Sequence, residues 1–352
     1  MDSNNKSIQW LDSLRTLAML GVIVIHVSTP TVKMIYGKNM EYWWIGNVLD
    51  SAVRFAVPLF LMLSGATLLG KDYKLGDYYR KRFSRVLVPF LFWLAVYWVY
   101  RWMVLLPKVQ PHGVQAVVQW GVNLFLKEGV SKHFWYIYMI LFIYIFVPFL
   151  GRGLRRLSGK VIGFILLGWV ILAVASKSLH LNLYSWSGDY GSKAFAYFLH
   201  SGYLVLGYYL GRFTVVSGRI RVLAAVVFVL SVLVSAGLTC LFSREGHGLD
   251  LSMYGYLNLN TIVQAVAIFL WVKDTGIKNK QVAGVQRTIS NYSYGIYLAH
   301  VLILGVFFNN GIFWTMAHPL ISLPLVTLMT LVASFVVIYI LRKIPLGKYI
   351  SG

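Results

Sequence analysis

Negative charge and cysteine are both scarce in this sequence, and each scarcity excludes something. Of 352 residues only 11 are Asp or Glu, and charged residues of both signs make up 12%, against about 25% in a typical soluble protein. So little polar surface cannot cover a water-soluble globule. The single cysteine, Cys240, excludes an internal disulfide framework and a cysteine-based metal site. His and carboxylate residues do not cluster at ligand spacing, so no metal is expected. No small-residue cleavage site follows the first apolar segment, which therefore reads as a retained span and not as a removed signal peptide. Tandem repeats and a separable soluble domain are also missing, and residues 1–352 read as one membrane domain.

What is present is apolar. Hydrophobic residues make up 58% of the chain, and the mean hydropathy is +0.68. A spanning helix needs about 20 mainly apolar residues, and that pattern recurs. Spans are expected near 10–28, 48–69, 87–106, 134–150, 160–176, 195–212, 221–242, 257–273, 289–309 and 320–342. The fold class is therefore an all-α polytopic membrane protein of about ten spans; a barrel would show short alternating segments instead. Between 107 and 133, the stretch "VQAVVQWGVNLF" has the pattern of an amphipathic helix lying along the interface.

The net charge of +21 first suggests nucleic acid, but the placement of the charges argues for topology. With these spans, 22 of the 32 basic residues fall on the side of the two termini and the even-numbered loops, against 8 in the odd-numbered loops. The positive-inside rule then places both termini in the cytoplasm. Membrane lipid is the expected surroundings and a nucleic-acid partner is not needed.

Arg15 and His26 stand in the first span, "LDSLRTLAMLGVIVIH". Eleven residues at 100° each end about 20° from three full turns, so both side chains share one face, roughly 16 Å apart along the axis. Arg15 reads either as a snorkelling anchor paired with Asp12 or as the lining of a cavity. His26 reads either as a hydrogen-bonded interhelical imidazole or as part of a site. Ionisable groups inside a span usually mark a pathway or an active site, and two on one face favour the cavity.

These residues resemble the Arg-x10-His signature of the membrane-bound acyltransferase type 3 family. Further stretches are similar in order: "VRFAVPLFLMLSGATLL", "KRFSRVLVPFLFW" with its Arg82-x-x-Arg85 element, "HFWYIYMIL" and "SYGIYLAH". Within the family the pattern looks most like the stand-alone O-acetyltransferases of surface glycans, such as those of enterobacterial common antigen. The resemblance implies an enzyme of the bacterial cytoplasmic membrane, with acetyl-CoA as acyl donor and a glycan or glycolipid acceptor. A transporter of a small acid or glycan intermediate is the alternative from another class.

Under that resemblance, Arg80, Lys81, Arg82 and Arg85 would hold coenzyme A phosphates, for which Arg offers bidentate contacts. Lys71 and Lys74 fit anionic lipid equally well. Arg15 would border the donor path, and His26 would be the general base. His300, with Tyr294 and Tyr297 at i, i+3 and i+6, is a second catalytic or acceptor-orienting group or a structural hydrogen-bonder. Arg54, four residues after Asp50, reads as an ion pair or as a contact to the oxyanion or acceptor. His133, Trp135 and Tyr136 read as interface aromatics or as a sugar-stacking surface. Ser64 and Gly65 suit close helix packing. Asp189, Glu245 and Asp250 are the remaining acidic candidates on the outer side, and nothing in the sequence selects a carboxylate partner for His26.

Overall fold

The computed structural model describes residues 3–109, 113–126, 130–178, 190–244 and 248–352. The helices are α1 (Ser3–Ile35), α2 (Met40–Ala52), α3 (Ala56–Leu68), α4 (Leu75–Val109), α5 (Val114–Leu126), α6 (Trp135–Leu154), α7 (Gly159–Ser178), α8 (Tyr190–Phe213), α9 (Gly218–Arg244), α10 (Leu259–Val272), α11 (Lys280–Asn309), α12 (Pro319–Lys343) and α13 (Gly347–Ile350). No strand occurs among the described residues.

Nine segments among them are long and apolar enough to cross a membrane. The expected sixth span, α8, has the length (24 residues) but is not among the nine: between Lys193 and Arg212 it is rich in Tyr and Gly and carries His200. The outward surface is apolar, with Phe164 74% and Leu320 62% exposed, which is the inverse of a soluble helical bundle.

Local sequence explains where the helices start and break. Gly37 adopts φ +75° in the turn after α1, a conformation open to glycine without strain. The Asn39 side chain then caps α2 by accepting from the Tyr42 amide at 3.1 Å. Asn279 caps α11 in the same way, on the amides of Gln281 and Val282. The second span is not the continuous helix expected over 48–69: it breaks between α2 and α3, at residues 53–55. Pro58 has no N–H to offer the carbonyl of Arg54, four residues earlier, which weakens the helix at this point, although Pro30, Pro89, Pro148 and Pro324 sit inside helices that continue. The third span differs too. Its helix starts at Leu75, twelve residues before the apolar run at 87, and so carries Arg80, Arg82 and Arg85 on helical backbone.

The helices pack in two buried clusters that share α1. One joins the first half of α1 to α3, α6, α8 and α10; the other joins its second half to α2, α4, α11 and α12. α3 and α8 touch backbone to backbone. A Cβ on Gly65 would stand 1.8 Å from the Leu204 carbonyl oxygen, and one on Gly207 2.0 Å from that of Met62. Small residues allow such approach between membrane helices.

α5 lies where the interfacial helix was expected. Its Val114, Val118 and Val122 form an exposed apolar stripe, and Gly121 accepts from Trp98 Nε1 of α4 at 3.3 Å.

Side-chain contacts put the two ends of the bundle in register. At one end Arg155, after α6, binds Asp72 before α4, Arg221 of α9 donates to the carbonyl of Lys273 after α10, and Thr16 of α1 donates to the carbonyl of Gln286 in α11. At the other end Tyr36, after α1, donates to the Ser243 carbonyl of α9.

Candidate functional site

Arg15 projects from α1 toward α11. Its Nη1 donates to Ser290 Oγ at 2.8 Å and to Asp12 Oδ1 at 3.2 Å, while Ser290 Oγ donates to the same carboxylate oxygen at 2.7 Å. The anchor pairing with Asp12 is therefore made. The rest of the guanidinium borders a cavity of about 840 Å³. Arg82 and Arg85 line this cavity as well, three residues apart on one face of α4, together with Lys348 of α13. Arg80, at 200° from Arg82 on a helix, is exposed and does not line it. The mouth is thus cationic.

Inward, the wall becomes Ser64, Tyr144, Tyr136, Tyr294 and Tyr297. Ser64 Oγ lies 3.4 Å from the Tyr144 hydroxyl, so this serine does more than thin the helix beside Gly65. Tyr294 donates to the Val86 carbonyl of α4 at 2.7 Å. Tyr297 donates to the carbonyl of His133, and its ring meets that of Tyr136 with centroids 5.7 Å apart. Tyr136 and Tyr297 both line the cavity.

Behind them three imidazoles meet. The rings of His26 and His300 are 5.0 Å apart between centroids, His133 and His300 5.3 Å, and His26 and His133 6.2 Å. Tyr297 touches His133 at 5.4 Å and His300 at 5.7 Å. His133 and His300 are buried, at 3% and 0% exposure, whereas His26 is half-buried. Nδ1 of His133 lies 2.7 Å from Ser131 Oγ, and Nδ1 of His300 2.6 Å from the Tyr297 carbonyl oxygen. The Nε2 atoms of both are buried without a hydrogen-bond partner. Tyr97 ties α4 to this layer: its hydroxyl donates to the Leu298 carbonyl at 2.9 Å, and its ring lies 5.2 Å from His133.

Arg54 sits at the helix break and is fully engaged from one side. It binds Asp50, which also accepts from Thr29 Oγ1 at 2.7 Å. Its Cζ lies 4.0 Å over the Tyr254 ring, and Tyr254 in turn donates to Asn47 Oδ1 at 2.7 Å. Arg54 Nε is buried without a hydrogen-bond partner. The ion pair with Asp50 is therefore real.

Trp135 stands apart from the histidine layer, stacked on Tyr256 with centroids 5.6 Å apart and planes 21° apart. Asp250 accepts from the Ser252 amide at 2.6 Å and shapes its own loop; Asp189 and Glu245 lie outside the described residues. No group of three or more His, Cys, Asp or Glu among the described residues is placed to hold a metal ion.

Sequence reading alone does not find Ser290, Tyr144, Ser131 and Lys348. Ser290 has a signal, since 290, 294 and 297 follow the i, i+4, i+7 spacing of one helix face. Lys348 has none.

The arrangement is a cationic vestibule that leads to a buried imidazole layer, with Arg15 at its entrance and His26 at its far end on one helix. It can hold a phosphorylated ligand and accept a proton. A family model described as an acyltransferase domain matches residues 8–342. No curated protein and no solved structure gives a significant match.

Proposed function

The chain belongs to the acyltransferase type 3 family of membrane acyltransferases, and from that premise we propose that it moves an acetyl group from cytoplasmic acetyl-CoA to a sugar hydroxyl of a lipid-linked or cell-surface glycan. The observation that carries this reading is the run from Arg82, Arg85 and Arg15 through the tyrosine-walled cavity to the imidazole layer. Arg82 and Arg85 hold the donor phosphates, for which guanidinium forks are suited, with Lys348 beside them. Arg15 marks the entrance for the pantetheine arm, which threads toward Tyr136 and Tyr297. The setting is the bacterial cytoplasmic membrane, with the cationic mouth inside.

His26 is the general base. As the acceptor oxygen attacks the thioester carbonyl, the hydroxyl proton passes to His26. The C–S bond then breaks, and the thiolate takes that proton from the His26 imidazolium, which leaves free coenzyme A and a neutral base. General-base catalysis of this kind contributes about 10²–10⁴-fold. His133 borders the acceptor side, while Tyr136 stays on the wall of the donor cavity and Trp135 is stacked on Tyr256 away from it.

One observation favours the rival transporter reading: the second span is interrupted at Arg54, and broken helices are a transporter device. Here the Arg54 guanidinium at the break is held by Asp50, itself bound by Thr29, and lies over Tyr254, with Nε left unpartnered; a paired side chain of this kind is not the unwound backbone by which transporters coordinate ions.

The test is label transfer from radiolabelled acetyl-CoA in membranes supplied with host glycolipid, for wild type and His26→Ala. Label in the glycolipid only with wild type supports the reading. Equal labelling by both variants removes His26 as base. No labelling by either, with no donor binding, moves the function to transport.

A further inference from the structure

A general base needs a bare ring nitrogen toward the hydroxyl and its proton on the other nitrogen. In many hydrolases a buried carboxylate fixes that tautomer. Here no carboxylate among the described residues hydrogen-bonds His26. Asp50 is taken up by Arg54 and Thr29, and Asp12 by Arg15 and Ser290.

The group in closest ring contact with His26 is another imidazole, His300. Its Nδ1 faces the Tyr297 carbonyl oxygen at 2.6 Å. A carbonyl only accepts, so Nδ1 carries the proton and the neutral ring leaves Nε2 as a bare lone pair. That Nε2 is fully buried and has no partner, although buried polar atoms are as a rule paired. His133 is not constrained in this way. Its Nδ1 faces the hydroxyl of Ser131, which can donate as well as accept, and its ring is farther from His26.

We propose that His300 is the positioning residue for His26, with Nε2 accepting a hydrogen bond from the His26 ring N–H. The contact is not closed in the structure, where the rings stand 5.0 Å apart between centroids. His26 makes no hydrogen bond of its own among the described residues, so closing the contact breaks none; catalytic hydrogen bonds commonly tighten only when substrate binds. Closed, the pair leaves the other His26 nitrogen bare toward the acceptor and shares the proton that arrives as the hydroxyl attacks. An imidazole held by a backbone carbonyl thereby takes the place of the missing carboxylate. The inference rests on the acetyl-transfer reading above.

The experiment compares wild type with His300→Leu, which removes the lone pair, and His300→Gln, whose amide oxygen accepts the same bond. Steady-state transfer from acetyl-CoA to host glycolipid is combined with acetyl-CoA binding and with ¹⁵N spectra of histidine-labelled protein in lipid. The expected result is a fall in kcat of about 10²-fold or more for His300→Leu with donor affinity unchanged. His300→Gln recovers much of that loss, and the His26 nitrogens pass from one tautomer in wild type to a mixture in His300→Leu. Three results overturn the proposal: both variants as active as wild type, both equally inactive, or both losing donor binding together with activity. If wild type itself transfers no label, the acetyl-transfer reading fails; the nitrogen spectra need no substrate and still decide whether His300 fixes His26.

Discussion

Arg54 is held by Asp50 through an ion pair and by the face of Tyr254, and Thr29 donates to the same Asp50 carboxylate. Removing one partner of a buried pair leaves an uncompensated charge at about 3–5 kcal/mol. Arg54→Met should therefore lower the thermal stability of the solubilised protein strongly, and Arg54→Met with Asp50→Leu should recover most of the loss. Equal melting of the single and double variants would mean that the pair is not what holds the break together. Part of this layer was legible in the sequence. The spacing of Arg15 and His26 follows from 100° per residue, and the Asp50–Arg54 pairing from i,i+4. The contact of His26 with His133 and His300 was not, because periodicity gives the face a residue occupies on its own helix. Which helices bring their faces together is decided by packing over separations of more than a hundred residues.

At the scale of elements, α3 and α8 depend on the glycines between them. Gly207→Ala pushes a methyl group against the backbone of Met62, which has no side-chain freedom to yield. Overpacking of this kind costs about 1–3 kcal/mol. Gly168→Ala, on α7 with nothing within 4 Å of the added atom, should be neutral or slightly stabilising. A melting series on the two variants separates the cases, and equal stability would refute the close approach. Most helices were visible as apolar runs. The length of α4 was not, because hydropathy reports where lipid begins and α4 runs past that point into the polar stretch "KLGDYYRKRFSRV". The break before α3 was not legible either, because Pro58 strands a carbonyl just as Pro30, Pro148 and Pro324 do inside helices that continue.

For the whole molecule, the cavity mouth and both ends of the described chain lie at the same end of the bundle, where Arg15, Lys348 and Gly352 border one space. Positive-inside counting assigns that end to the cytoplasm. The lone native cysteine is buried, which makes the assignment easy to check. In a Cys240→Ser background, Ser84→Cys at the cavity wall should react with a membrane-impermeant maleimide only from the cytoplasmic side, and acetyl-CoA should slow the reaction. Labelling from outside would reverse the topology; labelling indifferent to acetyl-CoA would place the donor elsewhere.

Tyr297 lines the vestibule and also touches His133 and His300, and transfer between the two spaces that it joins has an electrical consequence. On the proposed reading the acetyl group passes outward as the hydroxyl hydrogen passes inward to sulfur, and neither side gains a charge. A membrane potential of 100 mV exerts about 2.3 kcal/mol on each elementary charge that crosses, and here no net charge does. Turnover in proteoliposomes should then be the same under potassium diffusion potentials of either sign. A voltage-dependent rate would mean that an uncompensated proton follows the acetyl group through the layer. An enzyme that works across an energised membrane would thus draw its driving force from the thioester alone.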